Sequence, residues 1–132
     1  VGRPLLLANL DNESFAPGLW LTAWLVSSTD CPVEVVEWPV PLNELNLAME
    51  RILPRALLLY ASNSLPGNSL HRDLPRLIEQ SVAPLCVAGP AVHIHAPELH
   101  RHRGLMLAEG PLGALRQLHG AGLLPGSEGS AS

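Results

Sequence analysis

Short apolar runs that alternate with helix-like segments constrain the fold of this chain most strongly. Five runs have the length and composition of strands: residues 5–8, 33–38, 56–61, 84–88 and 104–108. Segments of helical length separate most of them, and Leu45, Ala48, Met49 and Ile52 have the i, i+3, i+4, i+7 spacing of an amphipathic helix. Strands that alternate with helices predict a parallel sheet with helices on both faces.

The order of the strands follows from the handedness of their connections. Right-handed crossovers favour a five-stranded, three-layer α/β fold of the flavodoxin-like (Rossmann-like) type, with strand order 2-1-3-4-5. The second run has a polar side that includes Glu34 and Glu37, which predicts a strand near an edge of the sheet. In this order the topological switch point lies between strands one and three, so the polar loops 9–16 and 61–69 face each other across a crevice.

Length and charge limit the classes of function. The chain has 132 residues, and we expect one domain over residues 1–124 and a flexible tail over 125–132. Its net charge of −4 and lack of a basic stripe argue against nucleic-acid binding by this segment. We expect a cytoplasmic protein, since the sequence has neither a signal peptide nor an apolar run of membrane-spanning length. Cys86 lies in an apolar run and is predicted to be a core residue.

Motifs for catalysis and for metal binding are weak or absent. The sequence has no Gly-x-Ser-x-Gly, no P-loop and no Gly-x-Gly-x-x-Gly, so we expect no enzyme. His93, His95, His100 and His102 form His-x-His-x₄-His-x-His, a pattern that imidazole-binding metals could use. Only Glu98 lies between them, and no cysteine completes a defined site. The pattern therefore favours a solvent-exposed loop without metal.

Three helical features give further expectations. Trp20 and Trp24 lie on one face of a helix over residues 19–26, and we interpret them as packing on the sheet, with a pocket or a subunit interface as alternatives. Pro75 is tolerable only in a first helical turn, which predicts that a helix begins near Asp73 after a longer loop. The last helix is expected to present one face with these residues: Leu112, Leu115, Leu118 and His119.

Several short motifs suggest a family. Glu13-x-Phe15-x-x-Gly18 resembles the Asp/Glu-x-His-x-x-Gly motif of cobalamin-binding domains, including the sensor domains of cobalamin-dependent MerR-type transcription regulators. Val40-Pro41-x-x-Glu44-Leu45 resembles the start of the second helix of those sensor domains. Residues 87–91, Val-Ala-Gly-Pro-Ala, are similar to the family's Val-Gly-Gly-x-Ala, and the serines of the 61–69 loop are similar to its Ser-x-Ser/Thr/Leu element.

The resemblance implies a ligand crevice and also a defect in it. The candidate crevice residues are Asp11, Asn12, Glu13, Phe15, Gly18, Ser62, Ser64, Ala88 and Gly89. In the family, a histidine at the position of Phe15 ligates cobalt and draws the nucleotide tail of cobalamin into a slot between strands one, three and four. A phenyl ring has no lone pair, and Ala88 in place of a glycine narrows the slot. We therefore expect a buried Phe15 that fills the crevice, no histidine-ligated cobalamin and no cofactor, with base-on cobalamin held through surface contacts as the alternative.

The resemblance favours a regulatory function. It implies the C-terminal, effector-sensing domain of a MerR-type regulator, which contacts DNA only through an N-terminal helix-turn-helix and forms a homodimer because its DNA has two half-sites. Its effector would be a small molecule that the sequence does not identify. One alternative is the cobalamin carrier module of a methyltransferase or mutase. A second alternative is a metal-binding protein that uses residues 90–103, which contain the four histidines and which we call the histidine segment.

Overall fold

The structure is a computed structural model that describes residues 3–10, 16–36 and 41–125, the side chain of Asn43 excepted. Its strands are β1 (Leu5–Asn9), β2 (Val33–Val36), β3 (Ala56–Tyr60), β4 (Leu85–Ala88) and β5 (Met106–Ala108). Its α-helices are α1 (Pro17–Ser27), α2 (Leu45–Ile52), α3 (Leu74–Gln80), α4 (Ala91–Ile94), α5 (Ala96–Leu99) and α6 (Pro111–Gly120). A 3₁₀ turn, Leu42–Glu44, precedes α2, and a π-helical segment, Ser69–Asp73, precedes α3.

The strands form one parallel sheet in the order β2-β1-β3-β4-β5. Leu5 is in register with Val33 of β2 on one side and with Ala56 of β3 on the other. This arrangement confirms the predicted flavodoxin-like α/β fold and places β2 at an edge. The neighbouring carboxyl ends of β1 and β3 define the crevice at the switch point.

Each face of the sheet carries its own core. Side chains such as Leu6, Leu57 and Leu59 point to a core that includes residues of α2, α3, α4 and α5. Their strand neighbours, such as Leu7 and Leu58, point to a second core beneath α1 and α6. Strands buried on both faces need apolar side chains at every position, which explains why β1 and β3 are almost continuously apolar.

The two tryptophans of α1 do not pack on the sheet, and that interpretation was wrong. Trp20 is 46% exposed and Trp24 is 64% exposed. The residues that α1 buries are Leu19, Thr22, Ala23 and Val26, which have the i, i+3, i+4, i+7 spacing of one helix face. Small side chains on that face let the helix lie close to the strands, and the buried Thr22 hydroxyl donates a hydrogen bond to the Gly18 carbonyl at 2.7 Å.

Two expectations for the other helices needed correction. In α6, Leu112 is 59% exposed and His119 is exposed, whereas Ala114 and Leu118 are the buried residues, four positions apart. Pro75 is the second residue of α3, but the π-helical segment Ser69–Asp73 runs directly into α3, so the proline lies inside a continuous helical stretch and the predicted helix start was wrong. The preceding residues are π-helical where a loop was expected.

Cys86 is buried in β4, as predicted, and burial raises the pKa of its thiol from about 9 to about 12. Since the thiolate is the reactive form, we expect Cys86 of the folded protein to resist alkylation at pH 8 and to react only after unfolding. Because the unfolded thiol ionises near pH 9, its ionisation favours the unfolded state above that pH, and stability should fall as the pH rises from 9 toward 12. Mass-spectrometric counting of alkylated cysteines, with and without denaturant, checks the first expectation.

The longest α-helix of the described residues, α1, has 11 residues, and none of the helices described has the length and apolar character needed to cross a membrane. The tail prediction concerns residues 125–132, of which 126–132 lie outside the described residues.

Candidate functional site

The crevice is built on the last residues of β1 and β3. Asn9 ends β1 and is buried, and the backbone N–H of Leu10 donates a hydrogen bond to the Tyr60 carbonyl at 2.9 Å. This bond holds the start of the first loop against the end of β3. The candidate residues in that loop, Asp11, Asn12, Glu13 and Phe15, lie outside the described residues, so the predicted burial of Phe15 stays a prediction.

Tyr60 occupies the centre of the predicted site. It is the last residue of β3 and is only 4% exposed. A β-carbon on Gly18 would overlap the ring and hydroxyl oxygen of Tyr60, and one on Gly89 would lie 3.1 Å from its Cε1. The ring therefore lies between Gly18, in the first turn of α1, and Gly89, directly after β4.

Gly89 has a second constraint, which comes from the backbone. Its φ of +110° is disfavoured for any residue with a side chain, and a β-carbon would overlap the carbonyl oxygen of Ala61. Its N–H donates to the Ala108 carbonyl at 2.9 Å, which ties the end of β4 to the end of β5. This glycine does more than end a strand, because it lets the chain after β4 pass directly over the chain after β3.

The structure brings together only part of the predicted set. Ala88 is fully buried and stands in register with Tyr60, in the same core as that residue. Gly18, Ala88 and Gly89 therefore surround the ring of Tyr60, and we call the space that these three residues bound, at the carboxyl ends of β3 and β4, the slot. Ser62 and Ser64 are exposed, in the loop after β3.

Sequence reasoning missed Tyr60. The available signal was an aromatic residue at the carboxyl end of a strand otherwise made of leucine and alanine, directly before a polar loop. A tyrosine there supplies a large ring to fill space and a hydroxyl that can reach a polar edge. The motif comparison did not include this position, so the residue was interpreted only as part of a buried strand.

The described residues do not fit the nucleotide tail of cobalamin. The Tyr60 ring takes up the slot between β1, β3 and β4 that the resemblance assigns to that tail. Ala88 adds a methyl group where the family motif has a glycine. Binding of the tail would require the buried ring to leave a close-packed core, which is costly because interiors have few voids to receive it.

His95 holds the second loop of the crevice in place. The backbone N–H of Leu65 donates a hydrogen bond of 2.9 Å to the Nε2 of His95, which lies between α4 and α5. Leu65 is 8% exposed and packs in the core beside α3. The imidazole thus supplies the acceptor for the backbone of the 61–69 loop, a role that the histidine pattern did not predict.

Replacing His95 by alanine should destabilise the protein by about 1–3 kcal/mol, because the partly buried Leu65 N–H would lose its acceptor. His95→Gln, which keeps an acceptor, should recover part of the loss. His71→Ala, at an exposed histidine of the π-helical segment, is the matched control and should change stability by less than about 0.5 kcal/mol. Urea unfolding of the four proteins measures these differences, and equal stability of His95→Ala and wild type would contradict the role.

The histidine segment is helical, so the expectation of a loop was wrong. Residues of α4 and α5 account for most of it, and Ala91, Val92 and Leu99 anchor these short helices in the core. A shallow cavity of about 230 Å³ lies beside them, with His93, His100 and Glu109 in its wall. The His93 Nδ1 is 3.6 Å from the Glu109 Oε1, and both side chains are largely exposed.

Within the described ranges, no three histidine, cysteine or acidic side chains are grouped so that they could hold a metal ion. The absence of a metal from the histidine segment stays an expectation from the sequence.

Comparison with known proteins supports the fold. Neither a protein-family model nor a curated protein sequence matches the chain. Among solved structures, the chain is similar to a chain of the methanol:cobalamin methyltransferase complex MtaBC from Methanosarcina barkeri, with a TM-score of 0.71 and 15% sequence identity. The match covers 93% of this chain but 46% of the other, so this chain spans about half the length of its structural neighbour. At this identity the likeness shows a shared flavodoxin-like fold, of the kind present in a cobalamin methyltransferase complex.

Proposed function

We propose that this chain is a non-catalytic regulatory domain, the C-terminal effector-sensing part of a MerR-type transcription regulator, in which the cobalamin-binding fold is kept and its slot is closed. The observation that carries the proposal is the position of Tyr60, whose ring fills the space between Gly18 and Gly89. The motif resemblance supports the family, and the filled slot supports the loss of the cofactor.

The filled slot favours a regulator over a cobalamin carrier. A carrier must hold the corrinoid where a partner enzyme can reach the cobalt, so it depends on both the axial ligand and the slot. Here Phe15 replaces the ligand and Tyr60 occupies the slot. The structural likeness to the methyltransferase complex agrees with a carrier as well as with a regulator, so the choice rests on these two residues. A regulatory domain can keep its function with a closed slot if its surfaces, rather than a corrinoid, transmit the signal.

The proposal also specifies partners. DNA would be contacted through a helix-turn-helix in the longer protein, since this segment carries a net charge of −4. The regulator would work in the cytoplasm as a homodimer, because two half-sites on DNA match a protein with two-fold symmetry. A small effector other than cobalamin, or no effector, would complete the regulation.

On this proposal the full-length protein carries a helix-turn-helix, and the test uses that full-length protein. Its binding to the promoter of its own operon is measured by fluorescence anisotropy, with and without hydroxocobalamin and adenosylcobalamin. We expect specific binding that neither corrinoid changes. Purification with a bound corrinoid, together with methyl transfer to or from it, would overturn the regulator in favour of the carrier.

A further inference from the structure

Helix α1 exposes a continuous apolar stripe. Trp20 and Trp24 are four residues apart, and Leu21, which is 48% exposed, lies three residues before Trp24. These spacings place the three side chains side by side on one face of the helix. The stripe is extended at both ends by exposed residues without charge: Pro17, Ser27 and Ser28.

The composition of α1 differs from that of the other long helices. Residues 17–27 include no acidic or basic side chain. The exposed surfaces of α2, α3 and α6 carry charges, for example Glu50, Arg76 and Arg116. A helix that is apolar all round is typical of a buried element, yet α1 is buried on one side only. Its outer face therefore has the composition of an interface.

Charge and area identify the occupant as a second copy of the chain. In a two-fold contact each patch meets the same patch of the other copy, so the patch must complement itself without an excess of charge of one sign. The stripe has none, although the whole chain has a net charge of −4. It also has no lysine or arginine, which a helix lying on an anionic membrane surface would use.

The exposed tryptophan surface is large enough to form the centre of a dimer interface. At the observed exposures the two rings present roughly 250 Å², about a third of the roughly 800 Å² that each partner contributes to a standard interface. Tryptophans are among the residues that contribute most to binding when they lie at the centre of such a contact. The four-residue spacing suits an antiparallel pair of helices, in which Trp20 contacts the partner's Trp24 and Trp24 contacts the partner's Trp20.

We propose that the stripe formed by Trp20, Leu21 and Trp24 is a homodimer interface of this chain. The same surface could serve the dimeric regulator described above, but it is inferred from α1 alone. The interface lies on the outer face of α1, which leaves the sheet and both cores unchanged on association.

Sedimentation equilibrium of the 132-residue chain, across about 1 μM to about 1 mM, tests the interface. We expect the mass to rise toward that of a dimer with concentration, with a blue shift of tryptophan fluorescence as the rings leave water. Trp24→Arg should weaken association at least about tenfold and leave the circular dichroism spectrum unchanged. Leu47→Arg is the matched control, because Leu47 of α2 is 63% exposed and lies outside the stripe. It should associate like the wild type.

A monomer at all concentrations would overturn the interface, and so would a dimer that Trp24→Arg and Trp20→Arg leave unaffected. Equal weakening by Leu47→Arg would show that any added charge opposes association, and would also overturn it. The experiment involves neither DNA nor cobalamin, so its failure is distinguishable from failure of the proposed function.

Discussion

Replacing Gly89 by alanine is expected to destabilise the protein by about 3 kcal/mol or more. The new methyl group would overlap the Ala61 carbonyl oxygen, and this contact cannot be relieved by a side-chain rotation because the atom belongs to the backbone. The φ of +110° adds strain for any residue other than glycine. The free energy of unfolding in urea measures the loss, and a change below about 1 kcal/mol would contradict this view of the packing at the end of β4.

Gly104→Ala separates the two causes. Gly104 also has a positive φ, +82°, but a β-carbon there would have no heavy atom within 4 Å. Backbone strain alone should cost about 1–2 kcal/mol at this position. The additional loss of stability in Gly89→Ala, relative to Gly104→Ala, then measures the cost of the close approach between the chain after β4 and the chain after β3.

Tyr60→Ala is the second substitution with a large expected effect, a loss of about 3–5 kcal/mol of stability. Tyr60 is buried between Gly18 and Gly89, and its removal would leave a cavity that the surrounding sheet cannot fill by collapse. Tyr60→Phe, which keeps the ring, should cost only about 1 kcal/mol. Thermal and urea unfolding of both variants measure the difference, and similar losses would mean that the hydroxyl, rather than the ring, is what the fold requires.

The sheet could be predicted from the sequence because its strands are short, apolar and regularly separated. The continuous apolar runs of β1 and β3 have few alternatives to a strand covered on both faces, and the connection rules then leave few orders for the sheet. The first-turn rule for Pro75 failed, because the π-helical segment Ser69–Asp73 continues into α3 and places the proline inside one helical stretch.

The features that could not be predicted depend on contacts between distant residues. The direction of the α1 tryptophans could not be read from the helix itself, because a helix that is apolar all round gives no periodic signal for its buried face. The filling of the slot by Tyr60 needs Gly18, Tyr60 and Gly89 at once, from three separate segments of the chain. The hydrogen bond from Leu65 to His95 joins residues 30 positions apart, so a pattern of histidines along the sequence gives no indication of it.

The closed slot predicts how cobalamin binding could be restored. Phe15→His alone would supply a nitrogen ligand but leave the Tyr60 ring in the place assigned to the nucleotide tail. Phe15→His combined with Tyr60→Ala would supply the ligand and open the slot. Phe15→His combined with Tyr60→Phe is the control, since it keeps the ring.

Absorbance titration of the wild type and these variants with hydroxocobalamin tests the closed slot most directly, with circular dichroism to confirm that each variant is folded. We expect no spectral shift from protein nitrogen ligation in the wild type, in Phe15→His or in Phe15→His/Tyr60→Phe. The closed slot predicts that a shift appears in Phe15→His/Tyr60→Ala. Ligation by the wild type, or tight binding by Phe15→His with Tyr60 in place, would contradict it.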